Sequence, residues 1–277
     1  MESFGDQLQQ VLEFREALPD VKRVPVAVEG VGDLVAVVAG AVALPQGLGA
    51  EHVGVAAVAG QREELISLDD VSGGRVTLGI GAGGSGFDAT ALGQEAWTPR
   101  ERADRFGEFV PLLDRLLTES AVSQRGDFYA AEEARNLPGC VQRPRLPFAV
   151  AATGPRGLSL AARYGQAWVT TGDPKLYETG TPEQSVKAIG GQVERLGSAC
   201  AAIGRSAAEL DKVLLHGFTP DRNRPLESVD AFVDFAGRHR ELGFTEIVIH
   251  WPIPDSDFAG DQTVFETIAT EALAQLG

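Results

Sequence analysis

From Arg75 onward the chain alternates short β-branched runs with longer amphipathic segments, and this alternation restricts the fold more than any other feature. The strand candidates are Arg75–Ile80, Pro147–Ala152, Ala167–Thr171, Lys212–His216 and Thr245–His250. Thr98-Pro99-Arg100-Glu101 is a capping box with proline at the first helical position. The helix it opens sets Phe106, Phe109, Val110, Leu113, Leu116 and Leu117 on one side. Thr181-Pro182-Glu183-Gln184 repeats the signal before the row Val186, Ile189, Val193, Leu196 and Cys200. Val229, Phe232, Val233 and Ala236 form a third stripe with Gly243 as its stop, and Val264, Ile268 and Ala272 mark the last helix. Strand and helix repeated in this way imply a parallel sheet covered by helices. The choice is between a closed (β/α)8 barrel and an open doubly wound sheet. A barrel needs three more strands from residues 1–70, where Val24–Val28, Leu34–Leu44 and Val53–Ala59 are candidates.

At 277 residues the chain suits one large domain, since barrels of about 250 residues commonly form one. The net charge of −15 argues against nucleic acid and anionic membranes, which both require clustered Lys and Arg. Cys140 and Cys200 make no disulfide framework, and no His/Asp/Glu grouping has metal-ligand spacing, so no metal is expected. Glu2 and Asp6 stand where a secretory leader would be apolar, and the longest apolar run, Leu34–Leu44, is too short to span a bilayer. These features predict a cytoplasmic protein with a small-molecule substrate.

The chemistry-bearing signal is glycine at strand exits. The run ending at Ile80 passes through Gly79, Gly81, Gly83, Gly84 and Gly86. Glycine serves where the backbone needs unusual dihedrals or where a ligand must approach closely. A second exit, Thr153-Gly154-Pro155-Arg156-Gly157, opens a helix at Leu158 in the manner of a phosphate nest, with Arg156 as an added charge. The third reads Thr170-Thr171-Gly172-Asp173. A Rossmann fingerprint at Gly79–Gly84 is rejected, because the helix waits until Thr98-Pro99 and the acids at the required distance, Glu101 and Asp104, lie inside it. His216 and His250 each close a strand at the end where barrel sites form. The long connections Gly83–Thr98 and Glu119–Leu146 exceed a simple turn.

These motifs, in this order, resemble the luciferase-like monooxygenase family, which includes bacterial luciferase relatives and coenzyme F420-dependent oxidoreductases. The resemblance rests on Leu68-Asp69 before Ser72-Gly73-Gly74-Arg75, then Leu78-Gly79-Ile80-Gly81-Ala82-Gly83. It continues through Arg102–Phe109, Pro144–Phe148 with Ala151–Pro155, and Leu160–Trp168. It implies a (β/α)8 TIM barrel with an atypical or incomplete N-terminal part: residues 1–63 supply or replace the first strands, and residues 64–277 form the luciferase-like barrel domain. It also implies FMN or coenzyme F420 at the C-terminal rim. There Gly81, Ala82 and Gly83 lie beside the ring or ribityl chain, and Ala152, Thr153, Gly154, Pro155, Arg156, Gly157, Thr171 and Gly172 hold the phosphate. The implied activity is hydride transfer on a small organic substrate, coupled to oxygen insertion, oxidation or reduction. The alternative is a catalytically silent barrel acting as a ligand-binding or scaffold protein. Family members are often dimers or larger, so a homodimer is in view. No catalytic residue is assigned. Glu51-His52 stands only 22 residues before Gly74, too close for the family's acid–histidine pair, and Gly84 replaces an acidic residue common in deazaflavin-dependent members.

Overall fold

The computed structural model describes residues 35–39, 62–83 and 97–276. The candidates Val24–Val28 and Val53–Ala59, the Glu51-His52 pair and Gly84 lie outside them. Six parallel strands form one sheet: β1 (Val35–Ala39), β2 (Thr77–Gly81), β5 (Phe148–Ala151), β6 (Ala167–Thr170), β7 (Asp211–Leu215) and β8 (Glu246–Val248), hydrogen-bonded in that order. A helix over residues 62–71, α1, precedes β2. Helices α2 (Pro99–Thr118), α3 (Pro155–Tyr164), α4 (Pro182–Ala201) and α5 (Val229–Glu241) connect the strands that follow. The chain ends in α6 (Gln262–Thr267), a π-helical turn and α7 (Leu273–Leu276). Spatial order equal to chain order is the connectivity of a β/α barrel. β1 falls inside the expected Leu34–Leu44.

Both expected capping boxes form. The Thr98 hydroxyl accepts from Glu101 N while the Glu101 carboxylate accepts from Thr98 N, and Thr181 with Gln184 does the same. Each satisfies two N–H groups that a helix start otherwise leaves unpaired. Leu78, Ile80, Phe148, Val150, Trp168 and Leu214 turn one side of the sheet to the helices. They meet Phe106, Phe109, Leu113 and Leu116 of α2, Leu158 and Ala161 of α3, and Ile189, Leu196 and Cys200 of α4. Burial of each large side chain stabilises the fold by about 1.5–3 kcal/mol relative to leaving it exposed. Strand residues alternate sides, so the other side carries Gly79, Gly81, Ala149, Ala151, Ala167 and Val169.

The connection Glu119–Leu146, expected as a loop, contains an antiparallel hairpin of β3 (Ala121–Arg125) and β4 (Ala130–Arg135). One carboxylate organises its turn: Glu108 of α2 accepts the N–H groups of Asp127, Phe128 and Tyr129 at 2.7–3.1 Å. Gly126 suits the position beside it, since a Cβ there would meet the Glu108 carboxylate and have to displace it. At the opposite, N-terminal edge of the sheet, the buried Arg145 guanidinium donates to Asp114 and to the carbonyls of Leu146 and Tyr164 while lying over the Phe148 ring. Burial pulls its pKa down against the opposing pull of Asp114. Those contacts hold the floor of the sheet, away from the strand exits.

Candidate functional site at the carboxyl edge of the sheet

Parallel register places the three glycine exits at one edge. Gly81 pairs with Ala151, and Ala151 with Val169, so β2, β5 and β6 end side by side. At the first exit a Cβ on Gly81 would stand 3.3 Å from the Ala151 Cβ, so glycine there lets β2 and β5 approach closely. Gly83 has φ +81°, a backbone state that strains any side chain. Ala82 borders a small recess walled by Trp97, Arg102, Arg105 and Tyr129. The Arg105 guanidinium lies 3.6 Å from the Trp97 ring centroid, with Phe128 and Tyr129 each at 5.3 Å. Its Nε is buried without a hydrogen-bond partner. A cation caged by aromatic faces in this way is fixed in place. Sequence reasoning missed it because Trp97, Arg105 and the Phe128-Tyr129 pair come from separate stretches of the chain.

The second exit runs from β5 through Ala152 and Thr153 to Gly154, the N-cap of α3. Gly154 offers no capping side chain and Pro155 has no N–H. The first intrahelical bond is Leu158 N to Gly154 O, so the N–H groups of Arg156 and Gly157 have no acceptor within the helix. A helix start of this kind suits an anion. Gly157 permits the close packing of α3 on the exit, because a Cβ there would stand 2.8 Å from Ala152 Cβ. Gly154 is different: its φ of −100° is ordinary and a Cβ would meet nothing within 4 Å. Gly154 therefore carries no backbone strain. Arg156 is exposed and paired with Asp104 of α2, so its charge is already countered.

The third exit is the most tightly specified. Gly172, at φ +89°, donates its N–H to Thr170 Oγ1 at 3.0 Å. That hydroxyl donates to Gln192 Oε1 at 2.6 Å, and Gln192 Nε2 donates back to Gly172 O at 2.9 Å. The expected role of Gly172 as a phosphate donor thus meets an N–H that is already engaged. Thr171 Oγ1 shares a 2.6 Å hydrogen bond with Tyr177 Oη, whose pKa is raised chiefly by burial. Gln192 is missing from the sequence-derived row of α4 because a glutamine reads as solvent-facing.

Beyond these exits, His216 follows β7 and packs on Phe235 of α5, its Nε2 3.0 Å from Arg222 O. Since a carbonyl only accepts, Nε2 carries the proton. Burial drops the His216 pKa to about 4. The ring borders a cavity of about 130 Å³ between β7, α4 and α5, which Thr171, Ser185, Arg224 and Arg238 also line. Of the expected site residues only Thr171 reaches this cavity. His250 stacks on Phe258, and its pKa is likewise lowered by burial. Among the described residues, no group of three or more His, Cys, Asp and Glu could hold a metal ion, and no helix is long and apolar enough to cross a membrane.

The sequence model of the luciferase-like monooxygenases matches residues 55–246. The chain belongs to that family. This luciferase-like chain is 32% identical over 182 residues to the 4-hydroxyprotoasukamycin monooxygenase of Streptomyces nodosus subsp. asukaensis, covering 63% of the chain and 45% of the relative. It is also 32% identical over 184 residues to an F420-dependent glucose-6-phosphate dehydrogenase of Beutenbergia cavernae, covering 64% and 48%. The chain thus spans about half the length of the curated relatives it matches. Its fold is similar to that of the coenzyme F420-dependent tetrahydromethanopterin reductase of Methanopyrus kandleri, with TM-score 0.60 and 16% identity over 79% of this chain and 80% of the reductase.

Proposed function

We propose that this luciferase-like protein is an oxidoreductase that binds coenzyme F420 or FMN at the carboxyl edge of its sheet and acts on a small organic substrate. The observation that carries this reading is the alignment of three glycine-bearing exits at one edge, one of them leading into a helix whose first N–H groups lack intrahelical acceptors. Relatives named as F420-dependent and as FMNH2-dependent support this cofactor class. The residues present fit such a group. Arg156 N and Gly157 N would hold the phosphate, with the Thr171 hydroxyl beside it. Gly81–Gly83 and the small side chains Ala149, Ala151 and Val169 leave room for a flat ring against the sheet. A bound flavin or deazaflavin supplies the hydride chemistry. The protein's part is to position the ring, exclude water and donate hydrogen bonds to the phosphate oxygens.

The test is titration of the purified chain with FMN and with F420, followed by fluorescence, and then a search for substrate-dependent bleaching of the cofactor band. Saturable binding of either cofactor is expected. Binding of neither refutes the reading, and binding without any turnover turns the assignment to a ligand-binding scaffold.

A further inference from the structure

The third exit is held by a closed hydrogen-bond circuit whose polarity has one solution. Gly172 O can only accept, so the Gln192 amide must present Nε2 to it. Oε1 then faces Thr170, whose hydroxyl must donate there while accepting from Gly172 N. Every group in the circuit is satisfied, and both Gln192 and Thr170 are buried. Gln192 stands on the buried row Ile189, Leu196 and Cys200 of α4, where a hydrocarbon would fill the space without needing partners. Its amide reaches out of that row to the carbonyl of Gly172, the one residue at this exit with positive φ, and to the Thr170 hydroxyl that holds the Gly172 N–H. The circuit therefore fixes where Thr171 stands. In the Thr171–Tyr177 pair one hydroxyl proton is spent on the partner, and the other remains to be donated.

We propose that Gln192 is a positioning residue for phosphate recognition, setting the β6 exit so that the Thr171–Tyr177 hydroxyl pair can donate its remaining proton to a cofactor phosphate. This rests on the proposed cofactor edge. The preference for a phosphorylated cofactor over its unphosphorylated riboside separates this role from simple support of the fold.

The experiment measures dissociation constants of the full chain for FMN against riboflavin, and for F420 against its unphosphorylated deazaflavin riboside. Gln192→Met keeps side-chain length and removes both hydrogen bonds, and Thr170→Val removes the hydroxyl at the other side of the circuit. In both variants the phosphate preference is expected to fall about tenfold, equivalent to about 1.4 kcal/mol. Riboside affinity is expected to stay unchanged. Thr170→Ser, which retains the hydroxyl, should retain the preference. Equal losses for phosphorylated and unphosphorylated forms, or no loss for either, overturn the positioning role. A wild-type chain without phosphate preference in either pair overturns the cofactor-edge reading and this role with it. If Gln192→Met does not fold, the two Thr170 variants decide the same question.

Discussion

The buried His216 ring makes the fold sensitive to acid over a defined range. Its ordinary pKa is 6.5 and burial lowers it to about 4 in the folded chain, with Asp221 and the Arg222 carbonyl opposing the shift and His239 and His250 adding to it. Above pH 6.5 the ring is neutral in folded and unfolded chains alike and costs nothing. As pH falls below that value the unfolded chain takes up a proton that the folded chain refuses, so stability declines until the folded ring also titrates near pH 4. Integrated from neutrality to about pH 4.5, the loss is roughly 2–3 kcal/mol, because the unfolded ring is by then almost fully protonated and the folded ring only partly so. His216→Gln keeps a donor within reach of Arg222 O and has nothing to titrate. Urea unfolding of both chains at about pH 7 and about pH 4.5 isolates the ring, since all other groups titrate in both. Wild type should lose roughly 2–3 kcal/mol more than the variant over this interval. Equal losses in the two chains would show that the ring is not held neutral, and the buried contact with Phe235 would have to be abandoned.

Three further outcomes follow from the geometry. Gly154→Val, whose Cβ enters open space, should cost only the poorer helix N-cap, about 1 kcal/mol, yet weaken FMN or F420 binding in titration; unchanged affinity would remove the α3 start from the site. Gly157→Ala forces a Cβ against Ala152 and should cost roughly 1–3 kcal/mol in denaturant unfolding. Glu108→Ala leaves three hairpin N–H groups without their carboxylate and should cost about 2 kcal/mol or more, with hydrogen exchange rising at residues 127–129.

What could be read from the sequence depended on how strongly each element advertises itself. The capping boxes at Thr98 and Thr181 announce α2 and α4 because cap chemistry is local, and the buried strands show as compact apolar runs. The β3–β4 hairpin stays hidden because AVSQR and AAEEAR are polar and half exposed and lack apolar alternation, so that Gly126-Asp127 between them reads as one more loop glycine. β8 is shorter than the run Thr245–His250 that marks it. At the candidate site, the glycine exits are visible because positive φ at Gly83 and Gly172 selects glycine directly. Gln192 and the Arg105 cage depend on partners distant in the chain, so no local pattern reveals them. In α4 the row runs through 192 and not through Val193, which is only half buried. One legible clue was a polar residue spaced as though it were core.

The two sides of the sheet answer to different demands, and this separates two kinds of change. Phe148, Val150 and Trp168 are locked among helices, so altering them unsettles the architecture. Their neighbours Ala149, Ala151 and Val169 face the other side, half-buried or exposed, outside that packed layer. A descendant of this chain could thus acquire a new appetite by revising alternate letters of three short words, leaving the intervening letters to keep the shape.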